Sequence, residues 1–313
     1  MIITVTANPA VDQTMWVRQL AHGGVNRAHE VQIDPAGKGI DVSRVVRRLG
    51  APTMALGFLA GETGDLVEHA LTAEHVPHYF VRVQGRTRID ITVNDEATGT
   101  ATSVWAPGPT VTAADLAELR GLIEVWLDAG RILVLAGSLP TGAPPQIYAE
   151  WTELAHRKGA YVIVDTSGPA LTHAVAAAPD LIKPNVEETE ALLGRKLGSM
   201  EEVIAAAQSL RARGVGTVVI SMGGEGLICV GRDGVLRARP PQVQRSSTVG
   251  SGDSLVAGIA VTLARGGSMA EGLRLGTAAG AATAQSHGTA LASAADVDAL
   301  LGRVQLETLA AAN

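Results

Sequence analysis

The chain has 313 residues, 46% hydrophobic and 18% charged, enough apolar material for a full core and too much for a disordered polymer. Lys and Arg number 25 against 31 Asp and Glu, so the net charge is −6, which argues against a protein that grips nucleic acid by neutralising phosphates. The single cysteine, Cys229, excludes an intrachain disulfide or a zinc centre built on several cysteines and fits a reducing compartment.

In chain order, residues 2–6 read as a buried strand and 41–49 as a helix, with Val42, Val45, Val46 and Leu49 on one face. Residues 53–58 read as a strand. A helix follows at 112–126, capped by Thr112, then a strand at 132–135, a helix at 146–157 and a strand at 161–164. Ser199 and Glu202 have the spacing of a capping box, with Gly214 where that helix stops, and 217–220 is another strand. From about Gly252 onward the pattern is mainly helical. Such alternation predicts an α/β fold: a mostly parallel sheet with helices on both faces, in one domain spanning 1–313. Two stretches, about 14–33 and 79–105, instead alternate apolar and polar residues, as strands with one wet face do; they predict a small antiparallel lid.

Residues 1–8 lack the basic region of a secretory leader. The uncharged run 275–295 is mostly Ala, Gly, Thr and Ser, too weakly apolar to span a bilayer. The expectation is a cytoplasmic protein.

The most informative segment is Thr248-Val249-Gly250-Ser251-Gly252-Asp253, two glycines feeding an apolar helix with an acid at the join. Such a turn offers main-chain amides and a helix dipole to an anion. An aspartate there is placed to take the proton of a hydroxyl attacking a phosphoryl group, although a first-turn acid also suits the dipole without any chemistry. A second glycine-rich turn, 34–41, holds Gly37, Lys38 and Asp41; Lys38 offers a point charge to phosphate and Asp41 an acceptor to sugar hydroxyls. It is not a Walker A loop, since Gly39 follows Lys38. Asp12 follows the first strand. Gly137-Ser138, Lys183-Pro184-Asn185 with Glu188, and Ser221 to Gly226 follow others. Each alone is a strand-end loop; together they mark the rim where open α/β sheets bind ligands. A dinucleotide G-x-G-x-x-G and a G-x-S-x-G elbow are both missing. His75 and His78 read as solvated, Arg47 and Arg48 as the wet face of their helix, and Cys229 as a packed strand residue.

These residues resemble the ribokinase-like (PfkB) carbohydrate kinases, and within them the branch that holds 1-phosphofructokinase, tagatose-6-phosphate kinase and the minor 6-phosphofructokinase. The resemblance runs from Asn8-Pro9-Ala10-Val11-Asp12 to Gly288-Thr289. It implies ATP- and Mg2+-dependent phosphoryl transfer to a phosphorylated ketohexose, fructose 1-phosphate before tagatose 6-phosphate or fructose 6-phosphate. In that reading Asp253 is the base, and the amides of Gly250, Ser251 and Gly252 stabilise the phosphoryl group in flight. Asp12, Asp41 and Asp90 meet the sugar; Arg27, Gly37, Lys38, Arg88 and Ser138 lie about its phosphate. Lys183, Asn185, Ser221, Gly223, Gly226 and Ser286 belong to the nucleotide, and Glu188 to the metal. The lid also implies a homodimer contact. Asp41 and Asp90 stand where the branch usually has Asn, and Ser286-His287-Gly288 where it is often Asn-rich. A kinase of an unphosphorylated sugar, polyol or nucleoside, and a non-catalytic sugar- or nucleotide-binding regulator, are the alternatives.

Overall fold

The computed structural model describes residues 1–244 and 246–310. The apolar runs become strands because every residue of β1 (Ile2–Thr6) is buried, so neither face of this strand tolerates a charge. After it come β2 (Ala10–Val17), β3 (Glu30–Ala36), β4 (Thr53–Leu59), β5 (His78–Arg82), β6 (Arg88–Asp95) and β7 (Thr100–Val104). The second half carries β8 (Ile132–Ala136), β9 (Tyr161–Asp165), β10 (Leu181–Ile182), β11 (Thr217–Ser221), β12 (Leu227–Gly231), β13 (Gly234–Arg239) and β14 (Gln305–Ala310).

A ten-stranded sheet runs in the order β14-β13-β12-β11-β10-β9-β8-β1-β4-β5. From β11 to β5 every pairing is parallel; β12, β13 and β14 extend the sheet in antiparallel fashion. One face is packed by Leu119, Ile123, Tyr148 and Trp151 from helices Ala113–Trp126 and Ile147–Arg157. The other is packed by Val42 and Val45 from helix Lys38–Arg48, and by Val256, Ile259 and Leu273 from helices Ser251–Ala264 and Met269–Gln285. Those last two helices touch backbone to backbone: a methyl group on Gly258 would sit 2.5 Å from Gly276 N.

The small sheet has the order β3-β2-β6-β7. It is mixed rather than purely antiparallel, since β2 and β6 run parallel in register, Asp12 beside Asp90. Of the alternating stretch 79–105, residues 79–82 join the large sheet through β5 and β4. Alternation marks a strand with one covered face, and an edge strand of a large sheet meets that description as well as a lid strand does.

Local details correct several expectations. The helix expected at 41–49 begins at Lys38, directly after the glycine turn. Thr112 caps its helix in a reciprocal pair with Asp115, as expected. Ser199 accepts from the Glu202 N–H, but the Glu202 carboxylate turns to the Gly198 N–H at 2.6 Å, so that box is incomplete. Arg48 is not on a wet face: it pairs with Glu74 at 3.4 Å and donates to the Leu291 carbonyl. His78 opens β5, half-buried, with Nδ1 2.8 Å from the Val76 carbonyl. The strands β13 and β14 were not foreseen. Among the described residues no helix is long and apolar enough to cross a membrane.

Candidate active site

All seven parallel strands point their carboxyl ends the same way, so the loops that leave them share one rim. Asn8 follows β1, Gly137 and Ser138 follow β8, Thr166 follows β9, Lys183 and Asn185 follow β10, Ser221 ends β11 and Met222 to Gly226 follow it. They line a single cavity of about 1540 Å³, open along one side. The small sheet supplies the facing wall, because its alternation turns Asp12, Asp90, Thr92 and Ser103 inward. Of the residues singled out in the sequence, Asp12, Gly37, Lys38, Asp41, Arg88, Asp90, Ser138, Lys183, Asn185, Glu188, Ser221, Gly223, Gly226, Gly250, Ser251, Gly252 and Asp253 all line it. Arg27 and Ser286 do not. Arg27 is exposed in the loop between β2 and β3, and the Ser286 hydroxyl bonds to the Ala282 carbonyl behind the lining.

The floor is the start of helix Ser251–Ala264. Gly250 precedes it in the left-handed region at φ 74°, a conformation that suits glycine. The turn leaves the first helical amides without intrahelical acceptors, beside a dipole that favours negative charge. The Ser251 hydroxyl is buried without a partner, and a Cβ on Gly252 would lie 3.3 Å from Lys183 Nζ. Thus a cation lies against the glycine turn that opens the helix, with an unpartnered hydroxyl on the adjacent residue. Asp253 is buried on the first turn. Burial pushes its carboxyl up to about 7; Lys38 and Lys183 resist that rise, while Asp165 and Asp12 add to it.

Asp165 is the residue the sequence reading missed. Its carboxylate is fully buried at the end of β9, with Oδ1 3.0 Å from Lys38 Nζ and 3.4 Å from Lys183 Nζ. Burial opposes its charge, but Lys183 and Lys38 outweigh burial and hold it below the usual carboxylate range. Burial likewise opposes the Lys38 charge, and Asp165 and Asp253 more than restore it. The signal was available: an acid ends the apolar run 161–164, on the same rim as the other loops.

The other end of the cavity holds paired charges. Asp41 is buried and receives Arg44 NH1 at 3.2 Å; burial raises its carboxyl well above the ordinary range against the pull of Arg44. Arg44 itself spans Asp41, the Pro35 carbonyl and Glu74, the last at 2.6 Å. Asp90 receives Arg88 NH1 at 3.0 Å and the Ala106 N–H at 3.0 Å. Burial raises its carboxyl and Arg88 works against the rise. Asp12 has no such close arginine, and burial together with Asp90 pushes it up to about 7. Asp41 and Asp90 therefore each meet an arginine, although Arg44 is shared with Glu74.

Asn185 and Glu188 form a reciprocal cap: the Glu188 N–H donates to Asn185 Oδ1 at 2.7 Å and the Asn185 N–H to Glu188 Oε2 at 2.9 Å. One oxygen of Glu188 remains for a cation. Among the described residues no three His, Cys, Asp or Glu side chains cluster as a metal cage. That donor set fits Mg2+ carried mainly by phosphate oxygens and water, the usual arrangement for this ion.

The fold and the sequence have close counterparts. Residues 5–296 match the pfkB family carbohydrate kinase model. The chain is 34% identical to a 1-phosphofructokinase of Haemophilus influenzae, covering 97% of each chain. It is 40% identical to a 1-phosphofructokinase of Xanthomonas campestris, covering 83% of each. Among solved structures, phosphofructokinase-2 of Escherichia coli in complex with substrates and products superposes with a TM-score of 0.92 at 32% identity, over 96% of this chain and 98% of that one. A tetrameric inhibited form of the same enzyme gives 0.90 at 32% identity over the same shares.

Proposed function

The chain belongs to the pfkB family of carbohydrate kinases, phosphotransferases that use ATP, and on that footing we propose that it phosphorylates a ketohexose that already carries a phosphate. Fructose 1-phosphate is the first candidate, ahead of tagatose 6-phosphate and fructose 6-phosphate, because the curated relatives named above are 1-phosphofructokinases. The observation that carries the reading is the buried Asp253 carboxylate on the first turn of a helix whose Gly252 lies against Lys183. Phosphoryl transfer asks chiefly for positioning and for charge stabilisation, and this floor offers both.

In the proposed reaction Asp253 takes the proton of the acceptor hydroxyl as that oxygen attacks the γ-phosphorus, and ADP leaves. The amides of Gly250, Ser251 and Gly252 meet the charge on the transferring group. Lys183, Asn185, Ser221, Gly223 and Gly226 hold the nucleotide. Glu188 and phosphate oxygens would hold Mg2+, which neutralises phosphate charge when bound. Asp12 and Asp41 accept from sugar hydroxyls. Lys38 and Arg88, with Gly37 and Ser138 alongside, receive the phosphate already on the sugar. Lys38 and Arg88, both in the lining, favour a phosphorylated substrate over a neutral sugar, polyol or nucleoside. ADP release over a panel of sugars and sugar phosphates tests it: ketohexose phosphates should lead by at least tenfold in kcat/KM, and a lead by neutral sugars overturns it.

We further propose that two copies pair through the small sheet. Its outer face exposes Val31 and Ile33 from β3, Ile89 from β6 and Val104 from β7, at 51, 59, 38 and 66%. The register puts all four on the side away from Asp12 and Asp90. Such a patch on a two-sided sheet is an association surface.

A further inference from the structure

A second cavity, of about 560 Å³, lies behind the nucleotide end of the cleft. Three arginines line it. Arg237 and Arg239 stand two residues apart on β13, hence on one face, and Arg303 lies just before β14. Their charges are incompletely answered. Arg239 pairs with Glu307 at 2.7 Å across the two strands. Arg303 reaches only the Gln242 carbonyl, at 3.5 Å. Arg237 makes no hydrogen bond or ion pair among the described residues, and its Nε is buried. The acid in the lining is the exposed Glu225.

The position matters as much as the charge. Gly224, Glu225, Pro240, Pro241 and Gln242 line this cavity and the main cleft alike. The two cavities therefore adjoin, and a ligand on the arginine side lies against residues that also line the main cleft.

We propose that this cavity is a second anion site, which takes a small phosphate ester or polyphosphate on Arg237, Arg239 and Arg303 and thereby alters nucleotide affinity through the residues the two cavities share. Planar guanidinium forks suit phosphate oxygens, and three of them around one small cavity call for more than a single negative charge. None of the three arginines lines the main cleft, so their loss leaves that cleft intact.

The test uses pyrophosphate as probe, titrated calorimetrically into the wild-type chain and into R237Q/R303Q. Pyrophosphate competes for the main cleft in both proteins, so the difference between them is the readout. The wild type should bind one pyrophosphate more per chain. Its KM for ATP should shift at least threefold beyond the competition both share. Without pyrophosphate the two proteins should turn over alike. Should R237Q/R303Q not fold, R303Q alone serves, since Arg303 is exposed, and should weaken the extra site about tenfold. Identical titrations overturn the proposal, as does an equal response to potassium chloride of matched ionic strength.

Discussion

Asp165 Oδ1 lies 3.0 Å from Lys38 Nζ, and the same oxygen lies 3.4 Å from Lys183 Nζ. One buried carboxylate thus holds two cations that both line the cavity. Lys183 sits against the Gly252 turn, while Lys38 leaves the glycine turn that leads to Asp41. Removing a single partner from a buried pair costs about 3–5 kcal/mol, because the other charge stays behind. Asp165→Asn should therefore lower the unfolding free energy by roughly that amount in urea titrations. The surviving enzyme should show raised KM values for both substrates, since both lysines lose their anchor. A rise confined to one substrate would contradict the shared tether.

Asp253→Asn should reduce kcat by about 10²–10⁴-fold, the range that a general base contributes. The amide keeps the shape of the side chain but cannot take the proton. ATP affinity, measured by equilibrium binding, should stay within about threefold, since the helix amides and Lys183 remain.

The raised carboxyl of Asp253 makes opposite predictions for activity and for stability. As a base it works only when ionised, so kcat/KM should fall as pH drops through about 7. For stability the sign reverses. A carboxyl with a raised folded pKa binds its proton more tightly folded than unfolded, so its contribution is full below the unfolded pKa and is lost as pH rises through about 7. Relative to the wild type, Asp253→Asn should therefore gain in Tm between pH 6 and pH 8. Equal Tm differences at both pH values would place the carboxyl in an ordinary environment.

Lys38→Ala and Arg88→Ala should raise KM for the sugar phosphate by about tenfold or more while ATP KM moves little, as loss of ground-state binding does. Arg88 also carries Asp90, so its variant leaves a buried carboxylate without its cation and should be the less stable of the two in thermal melts.

Val31→Lys with Ile33→Lys puts two charges on the exposed face of β3 without touching the cavity. Sedimentation should find the variant monomeric at concentrations where the wild type is dimeric. Unchanged association would move the contact elsewhere on the molecule.

The reasons why some features were legible in the sequence and others were not are physical. β1 and β8 are buried on both faces, so they show as unbroken apolar runs, and the rim loops after them could be marked in advance. The glycine turn before Asp253 was equally plain, because the anion floor is local in sequence. Asp165 was hidden by distance: its partners are 127 residues upstream and 18 downstream, and a lone acid after a strand looks like any turn residue. Arg44 was hidden in the middle of a helix, where its link to Glu74 appears only once β4 has brought the next helix alongside. Strand β14 was missed because an edge strand is short and partly wet, and Arg27 and Ser286 were placed by resemblance rather than by any pattern of their own.

The main-chain contact between Gly258 and Gly276 has a mechanical meaning. With no side chain between them, the helix that bears Asp253 and the helix whose Gly280, Ala281 and Ala284 wall the cleft cannot slide independently. A base packed on that wall keeps a near-constant offset from whatever rests on it.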